Sequence, residues 1–348
     1  MPPFAPLPDR VHALSLPPMP NPLISVVLPV YDRHHQLTDC LDSLLAQSLP
    51  DVEVVLVVDR SPESPERVAA AYELRDPRVR MLRLNAAVGI GRSRNAGAAH
   101  ATGEYLLFLD SDHLLDPGAL AAMADRLAET GPVDVLLFGH SREHGGKVWP
   151  GGSAQLLAGV GAGVFEPLDH PELLGAPPLV WDRLLRRTGV PEFPDGRYEE
   201  VPVVHRAMLA AQRIAVLDRD CVRIRRRHTL HPTGSPGSSH FDLFDQYRSS
   251  FELLEARQEL APVRPYLFTR MVRHLLFVLE LAGCVPRAER PQFFHRAAEY
   301  YRTFLPEGYR RPDGREGVKF SLLASGAYPA FEVAKLGQIA RTAVAGRR

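Results

Sequence analysis

The chain has 348 residues, 45% hydrophobic and 24% charged, the make-up of a globular protein with room for one large domain and a smaller unit. Its 41 basic and 41 acidic residues balance, which argues against nucleic acid as a partner. Three widely spaced cysteines, Cys40, Cys221 and Cys284, form neither a disulfide framework nor a zinc set and fit a reducing cytoplasm.

Residues 1–22 are rich in proline, so they cannot build a regular helix or a central strand. They are expected to form a flexible or wrapping arm. The arm lacks the basic-then-apolar layout of a signal peptide. No apolar run approaches the roughly 20 residues that span a bilayer, so the expected location is the cytoplasm, with peripheral contact at the inner membrane face left open.

Regular structure is expected from Ile24-Ser25-Val26-Val27-Leu28-Pro29-Val30, a buried-strand pattern. Residues 38–47 read as a helix with Thr38 as N-cap. Residues 52–58 read as a second strand, 65–74 as a helix and 79–84 as a third strand. A small-residue helix over 92–100, a strand over 104–109, a helix over 117–129 and a strand over 133–138 follow. Strands alternating with helices imply a parallel sheet with helices on both faces. Their continuous apolar runs mark strands buried on both sides. Ligands bind beyond the carboxyl ends of such strands, which selects residues 29–32, 59–61, 85–94 and 110–112 as site loops. Residues 139–152 are glycine-rich and read as a mobile loop on the acceptor side. From about residue 235 the pattern turns to long helices over 241–260, 265–282 and 287–304. Their recurrent aromatics are expected to be core, with acceptor binding or homo-oligomerisation as the sharper alternative. The expected division is an arm over 1–22, a catalytic domain over 23–234 and a helical region over 235–348.

The strongest chemical signal is Phe108-Leu109-Asp110-Ser111-Asp112-His113. Two carboxylates one residue apart end a buried strand, and burying them unpaired is costly. A hard divalent cation, Mn²⁺ or Mg²⁺, bridging a diphosphate removes that cost. Such a metal neutralises charge on a departing diphosphate.

Further segments in order carry a resemblance. Val26-Val27-Leu28-Pro29-Val30-Tyr31-Asp32, Glu53-Val54-Val55-Leu56-Val57-Val58-Asp59, Gly91-Arg92-Ser93-Arg94-Asn95-Ala96-Gly97 and Ala101-Thr102-Gly103-Glu104 leading into the Asp110–Asp112 motif together resemble family 2 inverting glycosyltransferases. The resemblance implies a GT-A fold, an α/β Rossmann-like nucleotide-diphospho-sugar transferase architecture, with the helical region appended. It also implies a nucleotide-sugar donor, with UDP-sugars the commonest in the family. Pro29, Tyr31 and Asp59 would line the nucleoside pocket. Asp32 and Ser111 fall in the same donor-side loops. Asp110 would contact ribose or metal, Asp112 the metal, and Arg94 the diphosphate or Asp110.

In the second half, Trp181-Asp182 resembles a family segment that leads into a helix. Tyr198-Glu199-Glu200-Val201-Pro202 resembles the family's Glu-Asp-Val-Pro segment, whose second acid is the general base. Here that position is Glu200, one methylene longer than Asp, and Glu199 competes for the role. Acids are also favoured at the start of the helix that follows. Asp218-Arg219-Asp220-Cys221-Val222-Arg223-Ile224-Arg225-Arg226-Arg227-His228 resembles the last family strand and its arginine-rich loop. His228, or else His231, would complete the metal shell, and Arg225, Arg226 and Arg227 are candidates for the diphosphate. His113 stands where the family has a further acid, and no metal role is expected of it.

The chain through Phe241-Asp242-Leu243-Phe244-Asp245-Gln246-Tyr247 is also similar to modules of bacterial cell-wall polymer synthesis. That implies a glycan or polyol-phosphate polymer, such as a teichoic acid, as acceptor. Two rivals remain: a nucleotidyltransferase, disfavoured because Pro29-Val30-Tyr31-Asp32-Arg33 lacks glycine, and a binding module without catalysis.

Overall fold

A computed structural model describes residues 22–30, 34–59, 66–225 and 238–335. In chain order it contains β1 (Ile24–Val30), α1 (His34–Leu45), β2 (Val52–Val58), α2 (Glu66–Arg75), β3 (Val79–Arg83), α3 (Ile90–His100), β4 (Tyr105–Phe108), β5 (His113–Leu115) and α4 (Ala119–Thr130). Then come β6 (Val135–His144), β7 (Lys147–Pro150), α5 (Ala154–Val160), β8 (Val164–Phe165), β9 (Arg183–Arg186), α6 (Glu200–Ala210) and β10 (Ile214–Arg225). The helices α7 (Asp242–Glu255), α8 (Arg264–Glu280), α9 (Arg290–Phe304) and α10 (Gly314–Ala324) complete the described elements.

The strands form one sheet in the order β3-β2-β1-β4-β9-β6-β10-β5, with β7 on β6 and β8 on β10. β3, β2, β1 and β4 run parallel, and every residue of β1 and β2 is buried, as continuous apolar runs require of a doubly covered sheet. One acid interrupts them. Glu53, 1% exposed, accepts hydrogen bonds from the Ser25 hydroxyl and the Thr102 and Gly103 amides and pairs with Arg80. Burial raises its pKa, but these bonds outweigh burial and hold the carboxyl below its ordinary value. It ties β1, β2 and the α3–β4 turn together at the amino end of the sheet.

The sheet is mixed, not wholly parallel. β9 inserts antiparallel between β4 and β6, and β5 runs antiparallel to β10. The segment after Trp181 makes a short 3-10 turn, Val180–Asp182, and then this strand, where a helix was expected. The glycine-rich stretch is a hairpin: β6 and β7 pair through Arg142↔Trp149 and His144↔Lys147. Gly145 and Gly146 both have positive φ, 58° and 75°, which suits the tight turns that match strand twist. α1 begins at His34, so Thr38 lies inside it and is not its N-cap.

The C-terminal aromatics are core. Phe251 stacks on Phe304 at 4.2 Å, and Phe244 and Phe268 pack against Phe293 and Tyr301. Their apolar faces are buried with the sheet in a single hydrophobic cluster. Among the described residues no helix is long and apolar enough to cross a membrane.

Candidate active site

The carboxyl ends of β1, β2 and β4 meet at one edge of the sheet. The β1–β4 pairing ends at Val27↔Phe108, so Pro29 lies past the end of β4, where its missing N–H is tolerated. Pro29 pairs in register with Val57, and Asp59, 5% exposed, follows β2 directly. Beyond β4 the chain leaves the sheet through Asp110, Ser111 and Asp112. Ser111 is buried and the two acids are partly exposed.

Asp110, Asp112 and His113 form a compact donor group, with one ligand atom from each within 4.8 Å of the others. His113 is 1% exposed, its Nε2 lies 3.6 Å from Asp112 Oδ1, and its buried Nδ1 has no hydrogen-bond partner. Trp181 makes T-shaped ring contacts with His113 and His140, with centroids at 4.7 and 4.8 Å. Two carboxylates and an imidazole are a donor set that suits a divalent ion such as Mn²⁺. His113 therefore joins a group from which sequence reasoning left it out. The signal was its position, directly after the second acid.

Arg94 is the centre of the charge network. It is 2% exposed; Nη2 donates to Asp110 Oδ1 at 2.7 Å and Nη1 to Glu199 Oε1 at 2.6 Å. Of the two contacts expected of it, the one to Asp110 is present. Burial opposes its charge, but Asp110, Glu199 and Glu200 more than compensate and its pKa is raised. One cation faces three carboxyls. Burial raises Glu199 despite Arg94. Glu200 is pushed up to about 8, first by burial and then by Glu199 and Asp110, against the pull of Arg94. The Glu200 side chain is half-buried and accepts the Val180 amide through Oε2 at 3.2 Å. Glu199 occupies the N-cap position of α6 but makes no side-chain capping bond; its carboxylate is committed to Arg94.

The Gly91–Asn95 motif has a geometric reason. Asn95 exchanges two 2.8 Å hydrogen bonds with the backbone of Phe193, and Arg92 pairs with Asp195. The Phe193 ring lies under the Arg94 guanidinium and edge-on to Phe108. A Cβ on Gly91 would come within 2.7 Å of Pro194 O and 3.1 Å of Glu199 Cγ. One face of α3 thus clasps the 193–199 segment that delivers the two glutamates. Tyr198, just before them, has φ 60°, a left-handed conformation that costs a non-glycine residue on the order of 1–2 kcal/mol.

Arg225, a diphosphate candidate, pairs with Asp39 at 2.7 Å. Tyr31, Asp32, Arg226, Arg227, His228 and His231 lie outside the described residues, as does nearly all of the proline-rich arm.

The model of glycosyl transferase family 2 matches residues 25–169. The uncharacterized glycosyltransferase EpsJ of Bacillus subtilis (strain 168) is 37% identical over 108 residues, 31% of this chain and 30% of that protein. A poly(ribitol-phosphate) beta-glucosyltransferase of Bacillus spizizenii is 37% identical over 100 residues, 28% of this chain and 16% of that protein. The chain spans about a third of the length of the curated relatives it first matches. The crystal structure of S. aureus TarS 1–349 in complex with UDP-GlcNAc covers 90% of this chain and 91% of that one, with TM-score 0.70 and 22% identity. At that identity the likeness shows a shared fold, and its coverage takes in the C-terminal helices. The ordered motifs and the matched segment make residues 25–169 similar to glycosyl transferase family 2, and the sheet they build has the GT-A fold.

Proposed function

We propose that the chain transfers a sugar from a nucleotide sugar, most simply a UDP-sugar, to a hydroxyl of a bacterial envelope glycopolymer, with inversion at the anomeric carbon. The observation that carries this is the junction of a donor-side acid, Asp110, to a catalytic-side acid, Glu199, through one buried arginine. Donor and acceptor chemistry therefore share a single charged centre. The UDP-GlcNAc bound by S. aureus TarS and the poly(ribitol-phosphate) named for the Bacillus spizizenii relative support these substrate classes. In this assignment residues 23–234 are the catalytic domain and 235–348 a helical region.

Glu200 is the general base. Glu199 is occupied by Arg94, whereas Glu200 makes one long bond to a backbone amide and is only partly buried. A carboxyl raised to about 8 is a stronger base near neutrality than an ordinary one. Glu200 accepts the acceptor's hydroxyl proton; that oxygen forms the new bond to the anomeric carbon as the bond to the phosphate oxygen breaks and the nucleoside diphosphate departs. Asp59 and Pro29 line the nucleoside side, with Tyr31, Asp32 and Ser111 in the same donor loops. Asp110, Asp112 and His113 would hold a divalent cation, with His228 a further candidate, and that cation supplies charge neutralisation for the departing diphosphate. Arg94 orients Asp110.

The test is product release from UDP-GlcNAc, UDP-glucose and UDP-galactose with Mn²⁺, in the presence of poly(ribitol phosphate) or poly(glycerol phosphate). Release of UDP with sugar on the polymer is expected. UTP and sugar 1-phosphate formed from the UDP-sugar only when pyrophosphate is added would indicate a nucleotidyltransferase, and no product with any donor would leave a binding module.

A further inference from the structure

The segment that delivers the two glutamates is gripped from both sides, and the second grip comes from the C-terminal helices. Tyr198, 7% exposed, shares a 2.6 Å hydrogen bond between its hydroxyl and Nδ1 of His240, which is fully buried. Its ring meets His274 of α8 edge-on at 5.2 Å. Asp242, the first residue of α7, accepts the Arg197 amide at 2.9 Å, and Gln246, one turn on, donates to the carbonyls of Asp195 and Arg197. The left-handed φ of Tyr198 therefore sits where α7, α8 and the turn before α7 converge. A non-glycine residue persists in that conformation only where its surroundings over-determine it.

We infer that Tyr198 is a positioning residue through which the helical region sets the reach of Glu199 and Glu200. The helices complete the active site through this segment. The turn of chain at Tyr198 aims Glu199 at Arg94 and leaves Glu200 on the Val180 amide, partly buried. This inference rests on the transferase assignment for its catalytic consequence, but not for the grip itself.

Two measurements on the full chain test it. Tyr198→Phe removes only the hydroxyl, His240→Leu removes its partner, and His240→Asn keeps a polar atom near the position of Nδ1. In amide hydrogen exchange, Tyr198→Phe and His240→Leu are expected to speed exchange over 195–201 about 10-fold or more, while β1 and β2 keep wild-type protection. In UDP release from UDP-GlcNAc with Mn²⁺, both are expected to lower kcat about 10-fold with donor KM unchanged, as small displacements of a catalytic group do. The double variant should be no slower than His240→Leu alone, because the shared contact is already lost there, and His240→Asn should restore most of kcat. Unchanged exchange, a KM that rises in step with falling kcat, or a double variant about 100-fold down overturns the inference. A wild-type protein that releases no UDP, with the exchange result intact, overturns the transferase assignment and leaves the grip standing.

Discussion

Arg94 reaches Asp110 with one guanidinium nitrogen and Glu199 with the other, at 2.7 and 2.6 Å, while itself 2% exposed. A planar fork suits two carboxylates on opposite sides in a way a point charge does not. Removing one partner of a buried pair strands the other, which costs about 3–5 kcal/mol. Arg94→Ala is expected to lower unfolding stability by that order in urea titration and to abolish transfer. Arg94→Lys should fold better than the alanine variant yet remain far below wild type in turnover. An Arg94→Ala protein with a wild-type midpoint would contradict the buried network.

The two glutamates should separate cleanly. Glu200→Gln keeps shape but cannot take a proton, so kcat should fall about 10²–10⁴-fold with donor affinity near wild type. Glu199→Gln leaves Arg94 short of one counter-charge, so its main effect should be on stability and Asp110 orientation. Paired kcat and urea measurements on both variants check the assignment; a larger kcat loss for Glu199→Gln with full stability would move the base by one residue.

The pH dependence has a definite sign. Burial raises Glu200 from its ordinary 4.5 to about 8, and a base acts only when deprotonated. Turnover is therefore expected to rise through neutral pH and level off above about pH 8, with the limb abolished in Glu200→Gln. The folded pKa lies above the unfolded one, so this group's stabilising contribution is whole below about pH 4.5 and is lost as pH rises through about 8. Urea midpoints measured from pH 5 to 9 should fall less steeply for Glu200→Gln than for wild type.

Much of the donor half was legible because its physics is local. Five-residue apolar runs ending at Asp59 and Asp110 are hard to place anywhere but in a doubly covered sheet, and β1 to β4 follow the expected strands closely. What escaped depends on distant partners. Arg183-Leu184-Leu185-Arg186 has no alternation and becomes a strand only because β4 and β6 flank it. The purpose of Gly91, Arg92 and Asn95 lies about a hundred residues away, at Phe193, Pro194 and Asp195. Tyr198 carries no local mark of positive φ, since its conformation is imposed by His240 and the helices beyond. His113 was set aside for replacing an acid, although an imidazole donates to a metal as readily.

Gly91 offers a test of the clasp that touches no charged group. A Cβ there would lie 2.7 Å from a backbone carbonyl oxygen, a contact relieved only by moving the 193–199 segment. Gly91→Ala is expected to lose about 1–3 kcal/mol of stability and to reduce kcat more than donor affinity. A silent substitution in both assays would mean that α3 does not hold that segment.

Everything in the transferase assignment depends on a nucleoside diphosphate bound through a metal at the end of β4. Calorimetric titration of UDP into the protein with Mn²⁺, with EDTA, and with Mn²⁺ in Asp112→Asn addresses it without needing the acceptor. UDP should bind with Mn²⁺ and at least tenfold more weakly in the other two, a gap of about 1.4 kcal/mol or more. Equal affinity in all three, or no heat in any, would contradict it.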